Sequence, residues 1–82
     1  MFNSGVLLIT GGTGSFGNAV LKRILNSKIS EIRIFSRDEK KQDDLRKKIQ
    51  NPKVKFYIGD VRDLSSIQPA IESVDYVFHA AA

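Results

Sequence analysis

The sequence predicts an α/β chain, the first half of a doubly wound parallel sheet with strand order 3-2-1-4. Three observations lead there. Short apolar runs alternate with stretches of helical periodicity, with about 20 to 25 residues per unit, the rhythm of strand–helix–strand crossovers. The first run, Val6-Leu7-Leu8-Ile9, is apolar throughout, as expected of a central strand covered on both faces. It ends in Thr10-Gly11-Gly12-Thr13-Gly14-Ser15-Phe16-Gly17, a glycine-rich passage into a helical pattern.

A strand that stops on glycines and restarts as a helix leaves the first helical N–H groups unpaired, at the positive end of the helix dipole. That is an anion site, and the natural anion is a phosphate. Here Gly11 turns the chain out of the strand, Gly14 lets a pyrophosphate approach the backbone, and Gly17 lets the helix lie close to the sheet. A nucleotide-triphosphate loop is the rival reading. It lacks support, because Asn18-Ala19 stands where that loop needs lysine and a hydroxyl residue.

After the glycines, Phe16, Val20 and Ile24, with Ala19, Leu21 and Leu25 beside them, predict an amphipathic helix ending near Asn26-Ser27. Ile32 to Phe35 reads as the second strand. Glu39 to Gln50 reads as a charged surface helix held by Leu45 and Ile49, with Lys40–Asp44, Asp43–Lys47 and Asp44–Lys48 at pairing distance along it. Asn51-Pro52 breaks it, and Val54 to Ile58, mixing polar and apolar positions, suits an edge strand. Asp63 is a plausible N-cap for a helix whose apolar face is Leu64, Ile67, Ile71 and Val74. Pro69 predicts that this segment divides into two short turns. Tyr76 to Ala80 is the fourth strand.

At 82 residues the chain is small for this class of sheet, which predicts that residues 1–82 are a partial domain. An unpaired apolar edge at Tyr76 to Ala80 then predicts low stability and self-association. With 41% hydrophobic and 27% charged residues the composition is that of an ordinary globular chain. No apolar run approaches a membrane span and the N-terminal residues do not resemble an export signal, so the cytoplasm is expected. The absence of cysteine excludes disulfides and thiolate metal sites. The net charge of +4 raises a nucleic-acid partner, but Asp38, Glu39, Asp43 and Asp44 interrupt the basic residues and no aromatic platform accompanies them. No nucleic acid is expected.

In a doubly wound sheet the end of the second strand meets the adenosine ribose. Arg37 stands there, between Ser36 and Asp38, with Lys40 and Lys41 following. An arginine fork suits a 2′-phosphate, so the residues favour NADP over NAD. If Asp38 instead reached the ribose and Arg37 pointed away, NAD would bind. Asp60 and Val61 follow the third strand and should lie beside the adenine, unless Asp60 is simply a turn residue. His79, a lone histidine on an apolar strand, reads as a packed and satisfied side chain, and Tyr57 and Tyr76 as strand packing residues.

Together, Thr10 to Gly17, Ser36 to Lys41, Gly59-Asp60-Val61-Arg62-Asp63 and Asp75 to Ala82 resemble the extended short-chain dehydrogenase/reductases. Phe35 to Asp44 and the terminal His79-Ala80-Ala81-Ala82 look more narrowly like the bacterial UDP-N-acetylglucosamine 4,6-dehydratases of capsule, flagellar-glycan and O-antigen synthesis. The resemblance implies an NADP-binding Rossmann fold, a nucleotide-sugar substrate and a homo-oligomeric complete enzyme. By it, residues 1–82 are a partial cofactor domain with the substrate domain absent, and Thr13, Gly14, Ser15 and Phe16 wrap the pyrophosphate within a cofactor-binding turn that includes Gly11 and Gly17. Ser36, Arg37, Asp38, Glu39, Lys40 and Lys41 hold the 2′-phosphate, Asp60 and Val61 the adenine, and Ala80 the ribose or nicotinamide side. The family's catalytic Tyr-x-x-x-Lys pair is absent, since Val61 follows Tyr57 at that spacing and Ala80 follows Tyr76. The chain alone is therefore expected to be inactive. Alternatives are a UDP-sugar 4-epimerase or ketoreductase of the same superfamily, and a non-catalytic NADP-binding module.

Overall fold

The computed structural model describes residues 4–11 and 13–80, with the side chains of Ser15 and Phe16 also left aside. Seven elements follow in strict alternation: β1 (Val6–Thr10), α1 (Ser15–Leu25), β2 (Glu31–Ser36), α2 (Glu39–Ile49), β3 (Val54–Ile58), α3 (Leu64–Ile71) and β4 (Tyr76–His79). The four strands form one parallel sheet in the order β3-β2-β1-β4, as expected. Its register sets Leu7 beside Ile32 and Tyr76, and Ile9 beside Ile34 and Phe78.

Side chains alternate across a strand, so each strand supplies both faces of the sheet. Leu7, Ile9, Ile32, Ile34 and Val54 face one way and bury Leu21 and Ile24 of α1 and Leu45 of α2. Leu8 and Phe35 face the other way and bury Ala70 of α3, with Tyr57, Ile67 and Val74 against them. β1 needs its unbroken apolar run because helices lie on both sides of it. Leu8 and Ile9 are each 0% exposed, and full burial of such a side chain stabilises by roughly 1.5–3 kcal/mol.

The helices depart from the sequence pattern in instructive ways. Of the apolar face expected for α3, Leu64 is 80% exposed and Ile71 44% exposed, while Ala70 is fully buried. The covered stripe is therefore Ile67, Ala70 and Val74, because a small residue lets the helix approach the Phe35 side of the sheet. Pro69 does not divide the segment; α3 runs continuously through it. In so short a helix the missing N–H removes one bond, to the Ser65 carbonyl, and both residues are exposed, which leaves that carbonyl to solvent. Asp63 caps the helix as expected, accepting from the Ser65 N–H at 3.1 Å.

At the far end of α3 the carbonyls of Ala70 and Glu72 accept from Arg33 Nη1 at 3.0 and 2.6 Å. Arg33 also pairs with Glu31 and lies over the Tyr57 ring, 5.8 Å from its centroid. A single strand residue thus satisfies orphan carbonyls at the end of α3. On the other face, Asp43 pairs with Lys47 at 3.0 Å and Lys40 with Asp44 at 3.9 Å along the surface of α2. Beneath that surface Gln42 is 1% exposed and takes a core position beside Leu45. Its Nε2 donates to the Tyr57 carbonyl at 2.8 Å and to Ser36 Oγ at 2.9 Å.

Replacing Arg33 by methionine keeps the apolar stem over Tyr57 and strips the carbonyls of their donor. The variant is expected to lose roughly 1–3 kcal/mol of stability in urea unfolding, as for other hydrogen bonds to a charged group. An unchanged midpoint would show that solvent replaces the guanidinium without cost.

Candidate functional site

In a parallel sheet all strand C-termini lie at one edge, and here four chain segments meet there. Gly11 N–H donates to the Phe35 carbonyl at 2.8 Å, Gly59 N–H to the Ser36 carbonyl at 3.0 Å, and Ala80 N–H to the Thr10 carbonyl at 2.9 Å. These bonds fasten the loops after β1 and β3 to β2, and the loop after β4 to β1. Between them lies a cleft of about 330 Å³ lined by Gly11, Phe35, Ser36, Arg37, Gly59, Asp60, Val61, Arg62 and His79.

The glycine turn is built as its spacing predicts. Gly11 has φ +70°, in the left-handed region where a side chain is disfavoured. Gly14 is the N-cap of α1 and contributes no side-chain cap, and the first turn holds no acidic residue. Among the described residues, a Cβ on Gly14 would find only the Gly11 carbonyl, at 3.7 Å. Gly14 is therefore not needed for internal packing, and the backbone there is open to a ligand. Gly17 is buried in α1, in keeping with close helix–sheet contact. Asn18 closes the turn, its Nδ2 donating to the carbonyls of Thr13 at 3.2 Å and Gly14 at 3.0 Å. Gly12 lies outside the described residues; Ser15 and Phe16 begin α1.

The segment expected to hold a 2′-phosphate divides. Arg37 is at the cleft, with its side chain 72% exposed. Ser36 lines the cleft but its hydroxyl is turned inward to Gln42, and Asp38 caps α2 by accepting the Lys41 N–H at 2.9 Å. Arg37, Asp38 and Glu39 share an open hollow with Thr13 and Ser36, whereas Lys41 borders a neighbouring one with Thr13 and Asn18. Lys40 borders the outer side of α2, with Asp43 and Arg46, and is not brought to the cleft.

Asp60 is a turn residue and a cleft residue at once. Its Oδ1 accepts from the Arg62 N–H at 2.9 Å, and Arg62 Nη2 reaches Oδ2 at 2.8 Å, while Arg37 Nη1 stands 3.8 Å from that same Oδ2. Arg62, through both its guanidinium and its backbone N–H, holds the Asp60 carboxyl well below the usual carboxylate range. Val61 is exposed beside it. Ala80, half-buried, packs against the core beneath the first sheet face. His79 is satisfied but not packed: its ring is exposed at the cleft, and Nδ1 shares a hydrogen bond with the buried Thr10 hydroxyl. His79 is the last residue of β4.

Sequence reasoning passed over Gly59 and Asn18. A Cβ on Gly59 would come within 2.7 Å of the Phe35 ring and 2.8 Å of Ser66 Oγ. The flanking aromatic that makes this glycine necessary is distant in sequence, so no local pattern announces it. Among the described residues no group of three or more His, Cys, Asp or Glu could hold a metal, and no helix is long and apolar enough to cross a membrane.

A 3-2-1-4 parallel sheet with a glycine turn opening α1 defines a Rossmann-type fold, shared with solved structures of low sequence identity. The chain belongs to the polysaccharide biosynthesis protein family, whose model matches residues 7–82. It is 66% identical over 86 aligned positions to a UDP-glucose 4-epimerase of Rickettsia bellii, covering 100% of this chain and 25% of that protein. Among solved structures it is similar to Pen from Bacillus thuringiensis, with a TM-score of 0.93 and 39% identity over 100% of this chain and 26% of the other. WbmF of Bordetella bronchiseptica, solved with NAD+, shares the fold at a TM-score of 0.73 and 21% identity, over 94% of this chain and 23% of its own. The chain spans about a quarter of the length of the curated relatives it matches.

Two outcomes are expected from this geometry. Gly59→Ala forces the Phe35 ring or Ser66 to move and costs roughly 1–3 kcal/mol, read from thermal unfolding. For Asp60, protonation removes the contacts with Arg62, so its contribution to stability is complete above about pH 4 and is lost as pH falls through the lowered value. Carbon-13 titration should find the Asp60 carboxyl still ionised at about pH 3, and Arg62→Gln should raise its titration without restoring the ordinary carboxylate value, because the residue-62 N–H and Arg37 still face it. An ordinary titration in the unmodified chain would contradict the pairing.

Proposed function

We propose that this chain is the NADP-binding first part of a longer nucleotide-sugar enzyme, one that oxidises C4 of a UDP-linked hexose. The observation that carries the reading is the convergence, at one sheet edge, of the uncapped start of α1 with Arg37 and Asp60. The N–H groups of the first turn of α1, from Ser15 through Gly17, bind the pyrophosphate, favoured by the helix dipole. Arg37 takes the 2′-phosphate with its fork, supported by Lys41 across the hollow beside Thr13. Asp38 supports this choice over NAD, because its carboxylate is engaged as the cap of α2. Asp60 and Val61 bracket the adenine and Ala80 the ribose or nicotinamide side. Thr13, Ser15, Phe16, Ser36, Glu39 and Lys40 belong to the same proposed set by resemblance alone.

When bound, the nicotinamide accepts a hydride from the sugar and returns it within the turnover. The finer reaction has two readings. Resemblance at Phe35 to Asp44 favours a UDP-N-acetylglucosamine 4,6-dehydratase, in which the C4 ketone acidifies the C5 proton and water leaves across C5 and C6. The names of the relatives favour a UDP-sugar 4-epimerase. Both ask the same of this chain, which is to hold and orient the dinucleotide; the acid–base pair of the family lies in neither Tyr57 nor Tyr76. A complete enzyme carrying this segment, given UDP-N-acetylglucosamine, separates the two by mass, because dehydration loses one water and epimerisation loses nothing.

Calorimetry on the 82-residue chain is expected to find NADP bound about 10- to 150-fold more tightly than NAD, with the difference lost in Arg37→Ala. Equal binding of the two would remove Arg37 from its proposed role, and failure of both would remove the cofactor reading.

A further inference from the structure

Arg62 has been given no part in binding the dinucleotide, yet it makes four contacts with one cleft carboxylate. Its Nη2 is 2.8 Å from Asp60 Oδ2, its Nε 3.1 Å from Oδ1 and 3.3 Å from Oδ2, and its backbone N–H 2.9 Å from Oδ1. Arg37 Nη1, at 3.8 Å from Oδ2, is within ion-pair range but beyond hydrogen-bond reach. One carboxylate thus stands between two guanidinium groups and is bonded to only one of them. We propose that Arg62 is a positioning residue for dinucleotide selectivity: by occupying the Asp60 carboxylate it leaves the Arg37 fork free for a 2′-phosphate. This inference rests on the reading of the cleft as a dinucleotide site.

The argument is one of competition for a single anion. Two arginines and one aspartate leave one net positive charge at the cleft mouth, carried chiefly by the looser partner, Arg37. Without Arg62, Asp60 keeps its charge and Arg37 is the remaining cation beside it. A shift of about 1 Å would bring that guanidinium into a charge-assisted bond with the carboxylate. The fork would then be spent inside the protein, and the mouth would be neutral toward an incoming phosphate. Because Arg62 reaches Asp60 from two residues away and its side chain is 76% exposed, substituting it disturbs no core packing.

The test measures dissociation constants of NADP and NAD for the unmodified chain, R62Q and the double variant D60N/R62Q. R62Q is expected to narrow the preference for NADP by about 3- to 10-fold, mainly by weakening NADP. The double variant restores the preference, because no carboxylate remains to capture Arg37. A purely structural role would weaken both dinucleotides and leave their ratio unchanged in R62Q; that result overturns the inference while the cofactor reading stands. Failure of D60N/R62Q to restore the ratio overturns it as well. If the unmodified chain binds neither dinucleotide, or both equally, the reading of the cleft falls and the inference with it. An independent readout is the nitrogen-15 resonance of Arg37 Nε without ligand: R62Q should move it toward a carboxylate-bound position, and an unmoved resonance counts against the proposal.

Discussion

Everything at the cleft depends on four strands running in the same direction. Parallel pairing places the ends of β1, β2, β3 and β4 at one edge, so residues from Gly11 to His79 become neighbours without any long-range side-chain design. Main-chain bonds from Gly11, Gly59 and Ala80 to adjoining strands then hold the loops where the sheet leaves them. The edge gathers donors more than acceptors: an uncapped helix start and two arginines against one carboxylate. A site of that composition selects anions before any detail of shape is considered.

Most of the framework was legible because it is written in periodicities. The apolar run of β1 marks a strand with both faces covered, and the turn at Gly11 and Gly14 marks the strand–helix junction. What escaped was polar or small. Gln42 and Arg33 look like surface residues in any count of hydrophobicity, yet one sits within the core beside α2 and the other ends α3. Ala70 is buried because it is small, whereas Leu64, a stronger apolar signal, is left outside. Gly59 is required by the Phe35 ring, a contact between the loop after β3 and a side chain of β2 that no linear spacing encodes. Side-chain direction was likewise invisible: Ser36 and Lys40 lie in the same short segment as Arg37 and point to different surroundings.

The same distinction bears on how narrowly the chemistry is read. The sheet is shared with structures only 16–21% identical, so it carries the fold and not the reaction. Discrimination between related reactions depends on groups that meet the substrate, whereas the described cleft gathers Gly11, Arg37, Asp60 and Arg62 at the strand ends.

Gln42 has a consequence for how this architecture tolerates change. An apolar stripe lets a helix slide or tilt along a sheet with little penalty, but an amide bonded to both the Ser36 hydroxyl and the Tyr57 carbonyl is directional. It acts as a locating pin: α2 has one seat on β2 and β3, independent of the salt bridges on its outer surface. The outer charges of α2 are thereby released from the task of alignment and can drift in kind and number over generations. The turn that begins the helix, and Arg37 just ahead of it, keep their place while they do.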